Sequence, residues 1–110
     1  GALKGRTPLG FWETKLDDES LAALGGLTKL QNFDVRSTSI TDEGIETILK
    51  FKDLKDLNLA GVQQVTDEGF AKLGDLKNLT KLNVANTNIG YDSLDLLEES
   101  NDQLELIDFE

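Results

Sequence analysis

The side chains best suited to chemistry are carboxylates, and they recur at regular spacing: Asp17, Asp18 and Glu19, then Asp42 and Glu43, then Asp67 and Glu68. If the segments that carry them stack, the carboxylates align along one edge. Such a row is what calcium takes, about six to eight oxygens from carboxylates and carbonyls. The same spacing has a simpler use. Each cluster opens a short amphipathic stretch, Thr41 and Thr66 stand just before it as N-caps, and acids in a first helical turn are stabilised by about 0.3–1 kcal/mol each. No calcium-loop spacing accompanies the clusters, so capping is the better reading and no metal is expected.

A second acidic set, Asp34, Asp56 and Asp108, offers an acid–base pair of the kind a carboxylate-dependent glycan hydrolase needs. Asn58 and Asn83 lie between its members and no cleft is implied, so a solvated surface accounts for it better. There is no histidine and no cysteine, which removes imidazole bases, thiol nucleophiles, disulfides and the usual zinc ligands together. The ten glycines contain no G-x-G-x-x-G or phosphate-loop pattern, so no nucleotide or other cofactor is expected. Gly25, Gly26 and Gly74 follow short helical stretches and are expected to act as left-handed helix stops. The expectation is a chain that is not an enzyme.

Elements must position these groups, and their arrangement follows from a repeat. Leu30, Leu54, Leu79 and Leu104 open segments 24, 25 and 25 residues apart. Behind Leu30 come Phe33, Val35, Thr38, Ile40, Ile45, Ile48 and Phe51. Behind Leu79 come Leu82, Val84, Thr87, Ile89, Leu94 and Leu97 at the same offsets. The segment from Leu54 runs one step late after Val62, as if Gln63 or Gln64 were inserted. A degenerate first segment places Leu9, Phe11, Thr14, Leu16, Leu21 and Leu24 in the same pattern. Each segment opens with the alternation of a short strand, as in Leu54-Lys-Asp-Leu57-Asn-Leu59, and closes with the three-or-four spacing of a helix. The reading is one domain over 1–110, with coils at about 6–29, 30–53, 54–78 and 79–103 and a terminal strand at 104–110.

L-x-x-L-x-L at this period resembles the leucine-rich repeat family over nearly the whole chain. Thr38-Ser-Ile40-Thr-Asp-Glu-Gly44 and Val65-Thr-Asp-Glu-Gly69 look like the I-T-D-x-G-L variant of cysteine-containing and bacterial-type repeats, although the cysteines are absent. The resemblance implies an α/β, right-handed solenoid with a short parallel concave sheet and outer helices. Thr14, Thr38 and Thr87 stand where members carry Asn or Cys, a position whose side chain bonds the backbone of the turn, which a threonine hydroxyl can also do. It further implies a non-enzymatic protein-binding module whose partner sits on the concave face.

On each strand the residues between the core positions face the other side of the sheet. They form three rows: Gly10, Asp34, Asn58, Asn83 and Asp108; Trp12, Arg36, Ala60, Ala85 and Glu110; Pro8, Asn32, Asp56, Lys81 and Leu106. The candidate partner-binding residues are Trp12, Arg36, Asp34, Asn58, Asp56, Lys81, Asn83 and Asn32. Trp and Arg are the types richest in interface hot spots. The alternative for this pair is a tryptophan folded over the first coil with Arg36 stacked on it.

Eleven basic and 21 acidic residues leave a net charge of −10. That sign repels phosphate backbones and anionic lipid, so the expected partner is a protein that is basic at its contact surface, with no nucleic acid and no membrane insertion. The absence of thiols leaves the compartment unread. The chain opens on Gly1 rather than Met, which reads as a trimmed chain or a slice of a longer repeat array. Ile107 and Phe109 are expected to point into a core that no later coil covers, with Leu106 and Leu96 adding apolar surface, so self-association through the C-terminal edge is the alternative reading.

Overall fold

The computed structural model describes residues 9–10 and 16–107, the first two as backbone only. Five short strands, β1 (Leu9–Gly10), β2 (Asn32–Asp34), β3 (Asp56–Asn58), β4 (Lys81–Asn83) and β5 (Glu105–Ile107), pair in chain order into one parallel sheet. Helices fill the connections: α1 (Asp18–Ala22), α2 (Asp42–Ile48), α3 (Asp67–Lys72) with a 3-10 turn at Leu73–Asp75, and α4 (Tyr91–Ser100). Each helix packs on the next, α1 on α2, α2 on α3 and α3 on α4. A coil therefore touches its neighbours and little else, and the core is one continuous seam between sheet and helices.

The seam explains the leucine spacing. Phe33, Leu57 and Leu82 come from β2, β3 and β4, Ile45 and Ile48 from α2, Phe70 from α3 and Leu97 from α4, and all are buried. Phe33 and Phe51 meet edge to face at 5.3 Å between ring centres, a preferred aromatic geometry. The opening leucine of each segment turns the chain into its strand. Leu30, Leu54, Leu79 and Leu104 donate their backbone N–H to Leu27, Phe51, Leu76 and Asn101 at 3.0–3.2 Å. Thr38 and Thr87 close the turn after the strand, their hydroxyls donating to the carbonyls of Val35 and Val84 at 2.8 and 2.6 Å. The extra residue of the third coil is taken up at exposed Gln63 and Gln64, with Gln64 bridging to Thr41 while Ile40 and Val65 stay buried.

Two expectations are corrected. Gly25, Gly26 and Gly74 are not left-handed stops. The left-handed backbone sits instead after β2, β3 and β4, at Ser37 (φ 58°), Gly61 (φ 78°) and Asn86 (φ 57°), whereas α1, α2 and α3 end on right-handed Ala23, Leu49 and Leu73. Gly74 is needed for close approach: a Cβ there would lie 3.0 Å from the Ser100 hydroxyl of α4.

The second correction is the register of the last strand. Lys81 pairs with Glu105, Leu82 with Leu106 and Asn83 with Ile107. Leu106 therefore takes the inward place and Ile107 the outer row. Leu104 still makes the same turn bond as Leu79, but the strand starts one residue sooner after it, so the expected outer-row place of Leu106 and inward place of Ile107 are exchanged. Because side chains alternate, a shift of one residue moves the whole strand to the opposite face.

Candidate functional site

The outer face of the sheet is built by alternation. Within β2, β3 and β4 the middle residue is buried and its neighbours are not. The parallel register then sets Asn32, Asp56, Lys81 and Glu105 side by side in one row, and Asp34, Asn58, Asn83 and Ile107 in the next. Arg36 follows Asp34, with Ala60 and Ala85 at the matching places after β3 and β4. Trp12, Asp108 and Glu110 lie outside the described residues. Seven of the eight residues singled out from the sequence thus share this face.

Their chemistry divides by row. Asn58 and Asn83 use Oδ1 to accept the backbone N–H two residues on, from Ala60 and Ala85, each at 3.0 Å. Asp34 accepts from the N–H of Arg36 at 3.2 Å and from its Nε at 3.1 Å. This row therefore ends its strands with side-chain turns, leaving the amide NH2 groups of Asn58 and Asn83 and the second carboxylate oxygen of Asp34 to address a partner. The ion pair of Arg36 with Asp34 is partly exposed, which places it among contacts of small net worth. The other row has no such duty. The side chains of Asn32, Asp56 and Lys81 make no hydrogen bond or ion pair with any described residue, and Lys81 is exposed.

The acidic clusters do more than cap. Asp18 reaches one coil forward and accepts from the N–H of Thr41 at 2.8 Å and from its hydroxyl at 2.5 Å. Asp42 does the same to Thr66 at 2.8 and 2.5 Å. Asp67 accepts from the N–H of Gly90 at 2.7 Å and from the Ser93 hydroxyl at 3.1 Å. The carboxylates offered to calcium by spacing alone are thus joints between coils. The glycines of T-D-E-G make room for them: a Cβ on Gly44 would stand 2.7 Å from the Asp18 carboxylate, and one on Gly69 would overlap that of Asp42. These joints are residues whose role the sequence reading missed, and the signal was present in the recurrence of aspartate and glycine two residues apart.

Local electrostatics follow from the same contacts. The Asp17 carboxylate, N-cap of α1, accepts the Ser20 N–H at 2.9 Å, and that bond holds its pKa below the ordinary aspartate value. Lys72 donates to Glu46 across one coil at 2.6 Å, which raises the pKa of its ammonium. Among the described residues no helix is long and apolar enough to cross a membrane.

No curated protein matches the chain. Residues 26–49 and 75–97 match a family model described as Leucine Rich repeat. The first match spans α1's exit, β2 and α2, and the second spans β4 and most of α4. Domains of this kind generally mediate protein–protein interaction and are typically not enzymes. Together with the five-stranded parallel sheet and its layer of helices, these matches show an α/β repeat fold that carries leucine-rich repeats at 26–49 and 75–97.

Proposed function

We propose that this chain is a non-enzymatic binding module that receives a protein partner on the outer face of its sheet, with Asn32, Asp56 and Lys81 as direct contacts and the amides of Asn58 and Asn83 beside them. What carries the reading is the contrast between the two rows. One row is engaged in closing turns, while the other presents four polar side chains, Asn32, Asp56, Lys81 and Glu105, without a partner among the described residues, which a monomer has no structural need to align. Arg36 borders this patch, and Ala60 and Ala85 leave space for a partner's side chains. Trp12 belongs to the same proposal by its place in the repeat. The 1–110 span acts as one domain, and the partner is basic where it meets Asp56 and Asp34.

A photo-crosslinking side chain placed at position 56 or 81, and at Glu68 in the first turn of α3 as a control, tests the reading. A discrete adduct from 56 and 81 but not from 68 is the expected result. Adducts only from position 68 would move the binding surface away from the sheet. Substituting Asp56 and Lys81 leaves the turns untouched, so a lost adduct after Asp56→Lys would not be confused with unfolding.

A further inference from the structure

Charge is distributed very unevenly along the chain. Residues 1–81 hold thirteen acidic and eleven basic side chains, whereas residues 82–110 hold eight acidic and none that is basic. Most of the net −10 therefore arises after Lys81, in the last coil and the terminal strand together. Asp92, Asp95, Glu98 and Glu99 are all exposed on α4, and Asp102 is exposed just after it. Asp95, Glu98, Glu99 and Asp102 line an open groove of about 500 Å³.

The same region also exposes large apolar side chains. Leu96 and Tyr91, both on α4, are 45% and 85% exposed and are the exposed large hydrophobic residues among those described. Thr47, at the place of Leu96 two coils earlier, is only 8% exposed. Leu94, Leu104 and Leu106 are partly open, whereas Ile45 and Phe70, Leu54 and Leu79, and Leu57 and Leu82 are closed at the matching places. Tyr91, the first residue of α4, stands where Asp18, Asp42 and Asp67 stand in their coils, so α4 carries no carboxylate at the place that joins each earlier coil to the next.

We propose that the outer side of α4 and the adjoining β5 form a second docking surface, separate from the sheet face, which takes a lysine- or arginine-rich segment of another protein that also carries apolar side chains. Charge complementarity selects this occupant. A second copy of the chain brings its own uncompensated acids to the contact, and such like-charge surfaces repel. Stacking the first coil of a second copy there would also find Tyr91, not a carboxylate, at the place from which Asp18 and Asp42 hold Thr41 and Thr66. Apolar side chains are required as well as charge, because Leu96, Leu94 and Leu106 gain from leaving water while the surrounding acids steer and orient.

The test uses the full chain and two labelled probes followed by fluorescence anisotropy: a peptide of alternating lysine and leucine, and an oligolysine of equal charge. The mixed peptide is expected to bind about tenfold more tightly than oligolysine. Leu96→Ser should remove that advantage, leave oligolysine binding unchanged and leave the melting curve in place. Tyr91→Ser, at the more exposed neighbour, serves if Leu96→Ser does not fold. Glu98→Gln with Glu99→Gln should weaken both probes more than Glu43→Gln with Glu68→Gln, which removes the same charge from the starts of α2 and α3. Equal binding of the two probes, or equal loss from the two charge variants, overturns the proposal. So does a doubled mass by light scattering without any peptide, since a second copy would then occupy the surface. The Asp56 and Lys81 variants should bind both probes as the unaltered chain does, which keeps this result distinct from that for the sheet face.

Discussion

The joint between α2 and α3 and the joint between α3 and α4 solve one problem with different residues. In the first, Asp42 holds the N–H and the hydroxyl of Thr66, and Gly69, three residues on, leaves room for the carboxylate. In the second, Gly90 replaces the threonine and Ser93 replaces the glycine, so Asp67 holds the N–H of one residue and the hydroxyl of the other. What the fold requires is therefore a carboxylate with two donors and one vacant Cβ position. Which end of the first helical turn supplies the hydroxyl is free to change.

Both joints sit on the same core, and its disruption is the largest effect expected. Leu57 is fully buried between coils, and Leu57→Ala should cost about 2–5 kcal/mol in denaturant unfolding. A cost far below that would mean the sheet and helices carry the joints independently. Asp42→Ala removes two bonds to a charged acceptor at a partly exposed site and should cost about 1–2 kcal/mol. Asp67→Ala should cost somewhat less, because its bond to the Ser93 hydroxyl is longer.

The sharpest test transplants one joint onto the other. Thr66→Gly and Gly69→Ser should each destabilise alone, the first by losing a donor and the second by crowding Asp42. Combined, they should recover about 1 kcal/mol relative to the sum of the single losses, as a double-mutant cycle reads it. Strict additivity would break the comparison. A smaller effect is expected after the strand, where Ser37 holds a left-handed backbone that Gly61 adopts freely. Ser37→Gly should stabilise by about 0.5 kcal/mol, and Asn86→Gly by less, since asparagine tolerates that region.

The smallest effect concerns α1, whose cap is local. The Asp17 pKa is lowered by the Ser20 N–H, so its contribution to stability is full above the ordinary aspartate value and is lost as pH falls through the lower folded value. In melts against pH, Asp17→Asn should therefore diverge from the unaltered chain near neutrality and converge with it in acid. Parallel curves throughout would remove the charge from the account of this cap.

Much of this architecture was legible in the residues. The 24- and 25-residue period, the inward places of Phe33, Leu57 and Leu82, and Thr41 and Thr66 as helix starts follow from local periodicity and capping chemistry, which act within a few residues. The turn bonds of Thr38 and Thr87 were likewise foreseen. The inter-coil joints were not, because the bond from Asp42 to Thr66 joins residues that only stacking brings together. The duty of Asn58 and Asn83 was hidden for a different reason: an exposed amide at a strand end looks the same whether it meets a partner or its own backbone. At β5, Leu106 and Ile107 are both apolar and either could have faced inward. The one-residue choice was made by the shortened path from Leu104.

The joints also have a direction. Asp17 caps α1 from within its own coil. Thr41 receives the Glu43 N–H and is held by Asp18 as well. Thr66 makes no cap bond with its own helix, and Gly90 has no side chain with which to make one. Self-sufficiency thus declines from the first helix to the last, and each helix start depends more on the coil before it. A ribosome releases the amino-terminal coil first. The template that each later helix needs is then in place before that helix is made, whereas a chain shortened past α2 loses the Asp42 carboxylate that holds Thr66.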